Sequence, residues 1–170
     1  GVGERMVTFR ASEDGSSFTE GRSVPVTVLA LPSVTGANAS AATVTALSTV
    51  TLTATTPANG YTLALYAEGD SFVKSWSCDG NSTVSGNVRT WSVQYAFGGT
   101  GNRRVTLKAS ADGANYGSGR ELAVTVLAVP NVTSAAASKA TTTALIPVTL
   151  TATTPANGSF LTLYAEGGTK

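Results

Sequence analysis

The sequence predicts an all-β chain, folded as an antiparallel β-sandwich and organised in tandem copies of about 98 residues. Three observations predict it. The first is self-similarity. Val7-Thr8-Phe9-Arg10-Ala11-Ser12 returns as Val105-Thr106-Leu107-Lys108-Ala109-Ser110, and Val50 to Gly60 returns unchanged as Val148 to Gly158. At an offset of 98 positions, 44 of 72 aligned pairs are identical without a gap, far beyond shared composition. The second is an apolar-polar alternation with period two along most of the chain. The third is composition: 27 of the 170 residues are Thr, Val is abundant, and helix-favouring Glu and Lys are sparse.

The elements follow in order. In the opening stretch Val24, Val26, Val28 and Ala30 share one face, and Leu122, Val124, Val126 and Ala128 repeat it. In the central copy strands are expected near 43–47, 50–56, 61–66, 72–78, 89–97, 103–110 and 121–128. Val50, Leu52 and Ala54 alternate with Thr51, Thr53 and Thr55. Trp91, Val93, Tyr95 and Phe97 form the heaviest apolar face, with Ser92 and Gln94 opposite. Val105, Leu107 and Ala109 alternate with Thr106, Lys108 and Ser110. The expected core is therefore Trp76, Trp91, Val93, Tyr95, Phe97, Val105, Leu107, Val124 and Val126. Turn signals separate the strands. Asn59-Gly60 and Asn157-Gly158 suit the left-handed backbone of a tight hairpin, and Asp14-Gly15, Asp79-Gly80 and Asp112-Gly113 read likewise. About seven short strands at this spacing indicate a sandwich of immunoglobulin-like type.

Leu31-Pro32-Ser33 and Val129-Pro130-Asn131 each follow a strong strand, and proline cannot donate to a ladder. Boundaries there make 33–129 one complete repeat. Residues 1–32 are then the C-terminal strands of a preceding repeat, and 130–170 the N-terminal strands of a following one. The competing division, 1–72 and 99–170 with 73–98 as connector, would make the segment from Trp91 to Phe97 an implausibly apolar linker. The chain opens in mid-repeat, so it is expected to be a segment whose export signal lies elsewhere.

Certain chemistries have little material. Charged residues are 12% and net charge is +1, which argues against a nucleic-acid partner. No apolar stretch approaches a membrane span. There is no His, hence no Ser-His pair and no His-ligated metal. No cofactor is expected. Glu68 with Asp70, and Glu13 with Asp14, are the nearest carboxylate pairs, but the counterparts of Asp70 and Glu13 are Gly168 and Ala111. Asp79-Gly80-Asn81-Ser82 and Asp112-Gly113-Ala114-Asn115 offer one carboxylate each, too few for calcium, and are expected to be plain turns. Cys78, alone in the chain, is expected to be a small buried hydrophobe. Lys108 and Lys74 are weak candidates for a Lys–Asn isopeptide bond. Lys108 falls on the Thr106 face and has Arg10 as its counterpart, while Lys74 shares a face with Phe72 and Trp76. Trp76 and Trp91 could stack on sugars if exposed, and Tyr61, Tyr66 and Tyr116 are expected at edges or loops.

Trp76-Ser77-Cys78-Asp79-Gly80-Asn81-Ser82, then Trp91 to Phe97, Gly101, and Arg104 to Gly113 together carry a family likeness. This pattern resembles the polycystic-kidney-disease (PKD) repeat and related bacterial immunoglobulin-like repeats. It departs from PKD proper where Ser77-Cys78 stands in place of Asp-Phe, and its loop is one residue shorter. The resemblance implies an extracellular β-sandwich acting as spacer, adhesive or ligand-binding module beside other domains. The expected function is thus a structural spacer, stalk or adhesive segment of a secreted or cell-surface multidomain protein, and not an enzyme. The alternative is a module binding carbohydrate or cell wall. Expected partners are neighbouring repeats of the same chain, surface glycans or other proteins, and further copies through the incomplete terminal halves.

Overall fold

A computed structural model describes residues 1–164. Among the described residues there are thirteen strands and no helix. In chain order they are Gly3–Phe9 (β1), Arg22–Val28 (β2), Gly36–Ala39 (β3), Thr43–Thr45 (β4), Thr49–Pro57 (β5), Thr62–Ala67 (β6), Ser71–Ser77 (β7), Ser82–Ser85 (β8), Val88–Ala96 (β9), Gly101–Ser110 (β10), Arg120–Leu127 (β11), Ser134–Ala137 (β12) and Leu150–Thr153 (β13).

Nine of these, β3 to β11, form two sheets around one core. One sheet has the order β4-β11-β10-β6-β7 and the other β3-β5-β9-β8. All pairs are antiparallel except β4 with β11. The core takes Val50, Leu52, Trp91 and Val93 from one sheet and Leu63, Leu65, Leu107 and Val124 from the other. Period-two patterning places them there. In β5 the buried positions Val50, Leu52, Ala54 and Thr56 alternate with half-exposed threonines. Burying each such Val or Leu contributes about 1.5–3 kcal/mol, so this alternation sets the register.

Several details differ from the expectations above. The central stretch holds nine strands rather than seven. Gly36–Ala39 and Ser82–Ser85 are four-residue edge strands whose Gly, Ala, Ser and Thr content gives no alternation to read. Asn59-Gly60 is not a hairpin. β5 and β6 belong to different sheets, so residues 57–61 arch from one sheet to the other. Positive φ occurs at neither Asn59 nor Gly60, nor at Asn157 or Gly158. Gly60 is needed for room instead: a Cβ there would lie 2.8 Å from Thr56 Oγ1. By contrast Gly15, Gly80 and Gly113 do take left-handed φ, as Asp-Gly turns require.

Trp91, Val93 and Phe97 are buried, as are Val105, Leu107, Val124 and Val126, while Trp76 and Tyr95 are half-buried against the core margin. Tyr66 sits in the inner strand β6 rather than at an edge or loop. A register shift beside Leu65 and Tyr66 sets Lys74 opposite Leu65 but Phe72 opposite Tyr66. That bulge breaks strict alternation, so Phe72 does not share a face with Lys74 and Trp76. Cys78 is half-buried, its thiol directed at Asp79 Oδ1 at 3.6 Å.

The end segments fold as separate hairpins. Among the described residues β1 pairs only with β2, and β12 only with β13. Their registers reproduce the central ones at the 98-residue offset. Gly3↔Val28 and Phe9↔Arg22 match Gly101↔Val126 and Leu107↔Arg120. Ser134↔Thr153 and Ala137↔Leu150 match Gly36↔Thr55 and Ala39↔Leu52. Leu47 and its counterpart Leu145 even share a left-handed backbone, with φ of 66° and 67°.

The core holds one polar bond of consequence. Trp91 Nε1 donates to Thr56 Oγ1 at 3.1 Å, and both residues are buried. Thr56→Val keeps the shape but leaves the indole N–H unpaired. Urea denaturation should show a loss of about 1–3 kcal/mol. A loss too small to measure would mean that the bond is dispensable.

Candidate functional site

The arch between the sheets is the best-built polar feature of the chain. Thr56 Oγ1 takes the Trp91 N–H and donates onward to Pro57 O at 3.0 Å. Gly60 N donates to Pro57 O, closing a tight turn. The β8–β9 hairpin grips the arch from the side. Ala58 N donates to Asn87 O, and Arg89 donates to Ala58 O at 3.2 Å and to Ser82 Oγ at 2.8 Å. The Arg89 guanidinium lies 5.7 Å from the Trp91 ring centroid.

So held, the arch presents Asn59. Its Nδ2 donates to Ala30 O at 3.0 Å, 29 residues back, in the chain that follows β2. Asn157 repeats the bond: its Nδ2 donates to Ala128 O at 2.8 Å, just after β11. Donor and acceptor are both offset by 98 positions, so each junction is tied in the same way. Asn157 Nδ2 also reaches Thr45 Oγ1 at 3.3 Å. Pro32 is fully buried at the first junction, where Val34 N donates to Ser118 O. A Cβ on Gly117 would collide with the Pro32 carbonyl.

The Asp112 loop is a self-satisfied turn. Asp112 Oδ1 accepts Ala114 N and Asn115 N at 2.9 and 2.7 Å and Ser110 Oγ at 2.8 Å, while Oδ2 accepts Asn115 Nδ2. Asp14 does the same with Ser16 N, Ser17 N and Ser12 Oγ. Backbone donation, from Asn115 first, holds the Asp112 carboxyl well below the usual carboxylate range; Ser17 leads for Asp14. These lone pairs are committed to the turn's own N–H groups. Among the described residues no three side chains of metal-binding type gather.

The remaining candidates are dispersed. Asp70 Oδ2 pairs with Lys108 Nζ at 2.7 Å, and Asp70 is well exposed. Lys108 Nζ also lies 4.8 Å from the Tyr66 ring centroid. Tyr66 meets Phe72 and Tyr116 edge to face at 5.8 and 5.9 Å. Burial, then Tyr66, then Asp112 push the Tyr116 phenol up. Glu68 is exposed, and Gly168, the counterpart of Asp70, lies outside the described residues. Lys74 Nζ sits 5.5 Å from the Trp76 ring. Thr56, Asn87, Arg89 and Ala30 belong to no chemistry-bearing motif in the sequence. Only the retention of Thr56, Asn59 and Ala30 in both copies hinted at a shared task.

A comparison with protein-family models and with curated proteins finds no match.

The Asp turns make a pH prediction. A folded-state value below the unfolded one stabilises the turn above the unfolded carboxylate range, and that contribution fades as pH falls through the folded value. In an NMR titration Asp14 and Asp112 should both protonate well below the ordinary value near 3.9. Ser110→Ala should raise the Asp112 midpoint and leave Asp14 unmoved. An ordinary midpoint at Asp112 in the unmodified chain would refute the turn geometry.

Proposed function

We propose that the chain is a structural segment of a tandem-repeat protein, acting as a spacer or stalk that holds other domains at a set distance. On this reading residues 33–129 are one complete immunoglobulin-like repeat, related to PKD and bacterial surface repeats. Residues 1–32 and 130–170 belong to its neighbours, and the whole acts at a cell surface or after secretion. One observation carries it: the amide–carbonyl bond that ties Asn59 to Ala30 recurs between Asn157 and Ala128. A clamp repeated at each junction sets the angle between neighbours and limits bending. That is what a spacer needs and what independent modules on flexible linkers lack. The core buries Trp91 completely and Trp76 partly, which leaves little indole surface for sugar stacking.

The test is Asn59→Ala. Limited proteolysis should cut between Leu29 and Leu31 several-fold faster than in the unmodified chain. Small-angle scattering should show a broader distribution of end-to-end lengths. Urea stability should change by no more than about 0.5–1.5 kcal/mol, as for one exposed hydrogen bond. Unchanged cleavage and scattering would sink the clamp. A glycan array that retained the chain tightly would favour the binding-module alternative instead.

A further inference from the structure

Among the described residues the two end segments present apolar faces with no cover. β1 and β2 expose Val7, Phe9, Val24, Val26 and Val28, each 41% or more accessible. The other segment forms an open groove of about 510 Å³ lined by residues such as Val132, Leu150, Leu161 and Leu163. The central copy contains the solved version of this problem. There the counterparts of Val7, Phe9 and Val26 are Val105, Leu107 and Val124, and those of Leu150, Leu161 and Leu163 are Leu52, Leu63 and Leu65. All six are 6% accessible or less and pack together. Of the fifteen residues in the central core, twelve have an apolar counterpart in one end segment or the other. The exceptions are Trp91, Val93 and Phe97.

The edges agree with the faces. In the central copy β10 pairs with β11 on one side and β6 on the other. Among the described residues β1, the counterpart of β10, pairs only with β2. Residues 160–164, most of the counterpart of β6, pair with no strand among the described residues. Each segment therefore carries a free edge where the central copy makes a ladder.

We propose that the groove of residues 130–164 takes the β1–β2 hairpin of a second copy of this chain. The register is that of β10 on β6. Leu107↔Leu65 becomes Phe9↔Leu163, Lys108↔Ala64 becomes Arg10↔Thr162, and Ala109↔Leu63 becomes Ala11↔Leu161. β2 then lies beside residues 141–143, as β11 lies beside β4. The composite buries apolar surface that both segments leave in water, which supplies the driving force. The contact is heterologous: each chain offers a hairpin at one end and a groove at the other. Association is therefore end to end, growing with concentration.

The experiment uses the full 170-residue chain and two variants in analytical ultracentrifugation. The unmodified chain should sediment as a monomer when dilute and as dimers and longer species when concentrated. Val26→Asp disables the hairpin face and Leu163→Asp the groove, so each alone should stay monomeric. Mixed together they should give a one-to-one complex that grows no further, because each keeps the half the other lost. Unchanged tryptophan fluorescence, from Trp76 and Trp91 of the central unit, checks its fold in both variants. Register is tested by joining Arg10→Cys chains to Thr162→Cys chains, with Cys78→Ser in each. Oxidation should give a covalent heterodimer. A monomer at every concentration overturns the proposal, as does a mixture that fails to pair. Self-association that persists in both variants alone would assign the contact to another surface and overturn it equally.

Discussion

The hydrogen bond from the Trp91 indole to Thr56 is the constraint on which the rest of the central unit turns. Trp91 is the largest buried side chain and carries a donor, which is costly to leave unpaired in an apolar core. Thr56 satisfies it from the end of β5, at the point where the chain must leave one sheet for the other. That bond joins β9 to the end of β5 where the nine-residue ladder between them closes, and Thr56 Oγ1 leaves no room for a side chain at Gly60. Arg89, stacked on the Trp91 ring, reinforces the arch through Ala58 O.

From the arch the constraint passes outward. Asn59 is positioned by groups at its back, so its amide meets Ala30 O in a fixed place. Core packing and junction geometry are thus linked by a short chain of bonds within six residues of sequence and one strand of the opposing hairpin. The second junction has the same amide bond, from Asn157 to Ala128 O. The amide bond thus forms at both junctions.

Three charged residues outside this arrangement are engaged locally. Lys108 is shared between Asp70 and Tyr66, and Asp112 and Asp14 accept the N–H groups of their own turns. Each looks like chemistry in the sequence because the residue type is reactive. Each is quiet in the structure because its lone pairs or charge already have a partner.

What the sequence determined by itself is whatever repeats with short period. Alternation of Val and Leu with Thr is a local pattern with one buried solution, so strands such as β5, β10 and β11 were legible residue by residue. Asp-Gly turns were legible for the same reason, since φ and side-chain bonding are settled within four residues. Tertiary structure alone decided the rest. Short edge strands such as β8 carry no alternation and exist only because β9 offers a ladder. Asn-Gly favours a hairpin locally, yet Asn59-Gly60 became an arch because its flanking strands belong to different sheets. Leu47 and Leu145 adopt a backbone that costs about 1–2 kcal/mol for an L-residue, set by bonds elsewhere in the loop. The junction clamp joins residues 29 apart, and its acceptor is a backbone carbonyl that no side chain announces. Such a partner exists only once the chain has folded.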